Sequence, residues 1–151
     1  MIYAECGTEN AIAKKLCNYP RNVRHKWGKA EILKHLDKDC RSKGLIDEDP
    51  SCEQPPLMDM YHPVRLEGGI RILKDERKEN FLIILCPRME EWIIEAAKES
   101  GVELGDYGLP DEPDRLREES RASLGKFKKL VDGLKNSRKI DLLAKFLNDE
   151  P

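Results

Sequence analysis

The chain has 151 residues, 39% of them hydrophobic and 37% charged, with a formal net charge of −2. That length supports a core without disulfide or metal staples, and that balance excludes a chain disordered along most of its length. No apolar run approaches a membrane span, and the near-zero net charge leaves any attraction to a polyanion to local clusters.

Such clusters exist. Lys14 to Lys43 holds ten Lys/Arg against three Asp/Glu, and Asp47 to Pro63 holds five acids and no Lys/Arg. From Arg121 onward, eight bases face four acids. An acidic centre between basic segments suits a metal site that acts on a polyanion, although solvated helix faces give charge runs too. The cysteines at 6, 17, 40, 52 and 86 contain no CxxC pair. Met1 leads straight into a strand-like Ile2-Tyr3-Ala4 with no signal-peptide pattern. Reduced thiols and a cytoplasmic location are therefore the expectation.

In chain order, Ile2–Ala4 is a short strand ending at Glu5. A helix over Glu9–Asn18 follows, with Thr8 as its cap and Ile12 and Leu16 on its inner side. Tyr19-Pro20 stops it. Asn22–Trp27 reads as a second strand, with Trp27 packed against the sheet. Gly28-Lys29 opens a second helix, striped by Ile32, Leu33 and Leu36 and ended by Ser42-Lys43-Gly44. Gly44-Leu45-Ile46 is a brief buried strand that ends in Asp47. This strand–helix alternation builds a parallel sheet.

A loop rich in Pro, Asp and Cys then runs to Pro63, and Val64–Leu66 is either an edge strand or more loop. Ile70–Lys74 is a strand. Phe81–Cys86 is apolar on both faces and should be central, covered by helices. Pro87 opens a helix through Ser100, buried along Met89, Trp92, Ile93, Ala96 and Ala97 and closed by Gly101. Residues 102–113 connect to a short helix over Pro113–Glu119. Another helix spans Ser123–Asn136, and Ser137 caps a last one carrying Ile140, Leu143, Phe146 and Leu147. The expected organisation is an α/β domain over 1–101 with a helical extension, 102–151, packed on the same core.

Two acidic groups occupy matching places, Glu5 after the first strand and Asp47 and Asp49 after the third. Ligands of open parallel sheets collect beyond the carboxyl ends of the strands. If these strands are neighbours, in a 2-1-3 order, the carboxylates converge, and a divalent cation relieves their repulsion. Oxygen-only ligands suit Mg²⁺ or Mn²⁺. Asp47 and Asp49 are spaced to face one ion, with Glu48 turned elsewhere. Lys29, at a helix start, suits a phosphate contact. Arg21, Arg24, Lys26 and Trp27 interleave bases with an aromatic, as a nucleic-acid grip does. His62 lies within the acidic loop, and Cys6 and Cys86 read as small apolar residues after strands.

A strand ending in Glu, a helix, a Gly-Lys turn, another helix and a strand ending in Asp-x-Asp together resemble the Toprim family. Bacterial-type primases, topoisomerases, recombination proteins, small ribonucleases and OLD-type nucleases belong to it. Cys6 stands between Glu5 and Gly7, where that family has Gly directly after Glu. The resemblance covers about residues 1–100 and implies a three-layer sandwich with a mainly parallel sheet. It makes Glu5 a general acid/base or metal ligand and gives Asp47 and Asp49 to Mg²⁺. Gly28-Lys29, with Arg24 near, would meet the substrate. Pro87-Arg88-Met89-Glu90-Glu91-Trp92 resembles a proline–acid–tryptophan element in which Glu91 adds a metal-side carboxylate; Glu53 stands in weakly for a later acid. The implied function is Mg²⁺-dependent phosphodiester or phosphoryl transfer, as in a nuclease acting on DNA or RNA. The alternative is a non-catalytic module binding nucleic acid or a partner protein. The C-terminal helices offer a surface for a homodimer or a partner. A receiver-like signalling domain also clusters acids at strand ends, but it wants a Lys after a later strand, and Phe81–Cys86 ends without one.

Overall fold

Brief apolar runs alternating with amphipathic helices wrap a single mixed sheet in the computed structural model, which describes residues 1–49 and 54–151. Among the described residues there are six strands, β1 (Ile2–Ala4), β2 (Val23–His25), β3 (Lys43–Asp47), β4 (His62–Glu67), β5 (Ile70–Asp75) and β6 (Asn80–Leu85). The helices are α1 (Gly7–Leu16), α2 (Lys29–Lys38), α3 (Met89–Glu99), α4 (Pro113–Ala122), α5 (Leu124–Gly133) and α6 (Arg138–Asn148). The sheet order is β2-β1-β3-β6-β5-β4. β2, β1, β3 and β6 are parallel, whereas β5 is antiparallel to β6 and β4 antiparallel to β5.

Apolar burial follows the sheet's two faces. One face carries Ala4, Leu45, Ile72, Ile83 and Leu85 against α1 and α3, and the later helices join it through Leu116, Phe127, Leu130, Ile140 and Phe146. The residues after 101 thus complete the same core. The opposite face carries Tyr3, Ile46, Leu82 and Ile84 under Ile32, Leu33 and Leu36 of α2. Gly44 makes that approach close: a Cβ there would stand 2.9 Å from both Ile32 and Leu82. β6, buried at every position, is the central strand its composition implies. No helix among the described residues is long and apolar enough to cross a membrane.

Several boundaries differ from expectation. α1 begins at Gly7 with Cys6 as N-cap; Thr8 lies inside the helix, its buried hydroxyl turned to Glu9, so it caps nothing. α2 stops at Lys38, short of Ser42. There the Asn80 amide donates to the Leu36 and Asp39 carbonyls and accepts from Ser42 N, which pins 39–42 to the sheet. Tyr3 donates its hydroxyl to Asp39 as well. α3 starts at Met89 behind the N-cap Arg88, so Pro87, whose peptide bond with Cys86 is cis, stays outside the helix. Val64–Leu66 belongs to a true edge strand, exposed throughout. Trp27 does not pack on the sheet: it is 80% exposed. Ser137 does cap α6, accepting from Ile140 N.

Candidate functional site

β1 and β3 run side by side in parallel, Ala4 opposite Leu45, so the residues that follow them emerge together. Glu5 N donates to the Leu45 carbonyl at 3.1 Å, which carries the sheet one residue past β1. Asp47 N donates in turn to the Glu5 carboxylate at 3.3 Å. The first turn of α1 adds Glu9, whose carboxylate accepts from the Thr8 hydroxyl at 3.0 Å and from the Cys6 thiol. One oxygen each from Glu5, Glu9 and Asp47 lie within 4.8 Å of one another, with Glu9 and Asp47 buried.

Carboxylates this close, and away from water, resist ionising together. Burial, then the charges of Asp47 and Glu9, push Glu5 up from 4.5 to about 7, despite the Asp47 N–H bond and Lys29. Burial also raises Glu9, with Cys6 opposing and Asp47 reinforcing. Asp47 is raised by burial and Glu90 against the pull of Lys29 and Arg117. Burial and Glu9 hold the Cys6 thiol up at about 12, so it is a hydrogen-bond donor to Glu9 and a poor nucleophile rather than a small apolar filler.

Cations stand beside the trio. Arg117 of α4 lies 3.7 Å from Asp47 and 3.3 Å from buried Glu90. Glu90 Oε2 has no hydrogen-bond partner among the described residues. Lys29 donates to the Glu48 carbonyl at 2.5 Å. The trio opens into a cleft of about 550 Å³, whose wall is completed by Trp27, Gly28, Asp49, Arg117, Arg121 and Leu124.

Of the residues singled out from sequence, Glu5 and Asp47 meet. Asp49 lines the cleft but stands outside the trio; its N–H donates to the Pro87 carbonyl. Glu48 points away and pairs with Arg71 at 3.4 Å. Gly28, at φ +90°, is the N-cap of α2 and part of the cleft wall. The Arg24 guanidinium folds back on the Arg21 and Val23 carbonyls and does not line the cleft. Glu91 is held by Arg88 at 2.5 and 2.9 Å and does not join the trio. His62 sits on the edge strand, 3.4 Å from Glu76. Cys52 and Glu53 lie outside the described residues.

Sequence reasoning missed Glu9, Glu90, Arg117 and Arg121. Glu9 passes for a first-turn acid favoured by the helix dipole. The phase of α3 carried a signal: Glu90 shares its side with buried Ile93, Ile94 and Ala97, one turn and two turns on, while Glu91 does not. Nothing local links α4 to the strands.

No protein-family model, curated protein or solved structure matches the chain. The site's chemistry must therefore be judged from its own residues.

Proposed function

We propose that this chain is a divalent-cation-dependent phosphodiester or phosphoryl-transfer enzyme, a nuclease on DNA or RNA, built on a Toprim-like sandwich. The observation that carries this reading is the convergence of Glu5, Glu9 and Asp47 at the carboxyl ends of β1 and β3. The all-oxygen trio on rigid elements fits Mg²⁺ or Mn²⁺. Glu5, Glu9 and Asp47 would hold the ion, with Asp49 on the rim. Bound there, the ion would neutralise charge on phosphate oxygens.

The chain's own residues supply the rest. Arg117 and Lys29 bring positive charge beside the carboxylates, where a phosphate has to dock. Glu5, with its pKa raised to about 7, exchanges a proton near neutrality while no ion is bound. Buried Glu90 is too far into the core to meet substrate and instead fixes Arg117.

The second reading is a non-catalytic binding module, and Arg117 favours it: its guanidinium offsets Asp47 and Glu90 without any ion. A cleavage assay decides between the two. Labelled single- and double-stranded DNA and RNA are incubated with Mg²⁺, Mn²⁺ or EDTA. The enzyme reading predicts cut products that need the metal and vanish with Asp47→Asn; the module reading predicts bound, uncut strands unaffected by that substitution.

A further inference from the structure

Trp27 is the most open large apolar side chain among the described residues, with 80% of its surface in water. Tryptophan is on average a highly buried residue, so this exposure is well outside its usual range. It does not sit on featureless surface: it forms part of the wall of the carboxylate cleft. Gly28, with its φ of +90°, turns the chain into α2 directly after it, so the indole rides between β2 and a helix start. The His25 ring backs it, 4.5 Å away and tilted by 52°. Arg117 and Arg121 of α4 line the same cleft, and Arg121 makes no ion pair among the described residues. Arg24 and Lys26 precede Trp27 in sequence.

A flat apolar face and uncommitted positive charge in one cleft call for a ligand that joins a planar ring to an anion. A nucleotide unit has that composition. Its base stacks on an aromatic whatever its identity, and its phosphate goes to arginine. In a duplex the bases are already stacked on one another, so none is available to Trp27. We propose that Trp27 is a stacking platform for an unpaired nucleobase, with a phosphate of the same strand directed to Arg121. This deepens the phosphodiester reading and rests on it for the identity of the cleft: the substrate is single-stranded or locally unpaired nucleic acid.

The test is binding of the full chain in EDTA to oligodeoxythymidylate, to oligouridylate of equal length and to a blunt DNA duplex. Single strands quench the emission of Trp27, while Trp92, buried with its indole N–H on the Gly68 carbonyl, gives a steady background. Trp27→Ala weakens single-strand binding about tenfold, and Trp27→Phe restores most of it. Both variants melt with the parent protein, since the side chain is already in water. Binding by either oligonucleotide supports the proposal, and their ratio separates DNA from RNA as the source of the base. Equal affinity for the duplex, no binding to any strand, or single-strand binding that neither quenches nor depends on Trp27 overturns it. Failure of the phosphodiester reading looks different. Single strands then quench Trp27 but stay intact with Mg²⁺, whereas metal-dependent cleavage indifferent to Trp27 sinks only the stacking platform.

Discussion

The two ends of the parallel strands solve opposite problems. At the amino end, the buried polar groups among the described residues have partners within the chain. Asn80 is fully buried and bridges Leu36, Asp39 and Ser42. The Lys43 ammonium donates to the Phe146, Leu147 and Asp149 carbonyls at the end of α6, where the helix dipole welcomes a cation. At the carboxyl end, Glu5, Glu9, Asp47 and Glu90 gather buried negative charge that Lys29 and Arg117 offset only in part. One end is finished as folded; the other gains from a proton or a cation brought in from outside. On the proposed reading, folding stability and function are lodged at different ends of the same strands.

The sharpest way to break this contrast is to exchange the effects. Asp47→Asn at the carboxyl end should lower Mn²⁺ affinity more than about a hundredfold, beyond the loss typical of outer-sphere partners, and abolish cleavage. Its melting temperature without metal should not fall, because one of several repelling charges is gone. Asn80→Leu at the amino end should do the reverse. It strands the Ser42 N–H and the Asp39 carbonyl, while the Leu36 carbonyl keeps the Asp39 N–H, so urea melts should show a loss of about 3 kcal/mol, with Mn²⁺ affinity unchanged. A destabilised Asp47→Asn, or an Asn80→Leu that loses metal, would undo the division between the two ends.

A smaller effect follows from pH. The pKa of Glu5 is raised on folding, from 4.5 to about 7, so the folded state holds its proton longer than the unfolded chain. Its contribution to stability is full below about pH 4.5 and is lost as pH rises through about 7. Glu9 and Asp47 shift in the same direction. Denaturant melts in EDTA should therefore show a stability loss between pH 5 and 8 that Mg²⁺ reverses, and that Glu5→Gln diminishes. Smallest of all is the exposed Lys15–Asp132 pair at 2.9 Å, which involves neither the carboxylate trio nor the Asn80 network. Lys15→Ala should change stability by less than about 1 kcal/mol and leave metal affinity untouched.

Much of the scaffold was legible in the sequence because its cues are local. Phe81–Cys86 announces a doubly covered strand, Gly28-Lys29 a helix start, and Ser137 a cap. Glu5 and Asp47 were legible because strand ends in a parallel sheet share an edge. Thr8, Ser42 and Pro87 misled as boundary markers, since Thr8 turns inward, Asn80 halts α2 early and Arg88 takes the cap of α3. The arginines of α4 were beyond reach, because what places Arg117 beside Asp47 is the docking of a helix some seventy residues further along. Motif likeness points to Glu91, whereas helix phase points to Glu90, the neighbour that packs inward.

Whether the carboxyl end of β1 and β3 takes up a divalent ion is read out by Mn²⁺ titration followed by electron paramagnetic resonance. At pH 8 the free-ion signal should disappear saturably into the wild-type protein, compete with Mg²⁺, and persist with Asp47→Asn. If wild type leaves the Mn²⁺ signal as free as buffer does, or if Asp47→Asn binds as well as wild type, the carboxylate cleft is not a metal site.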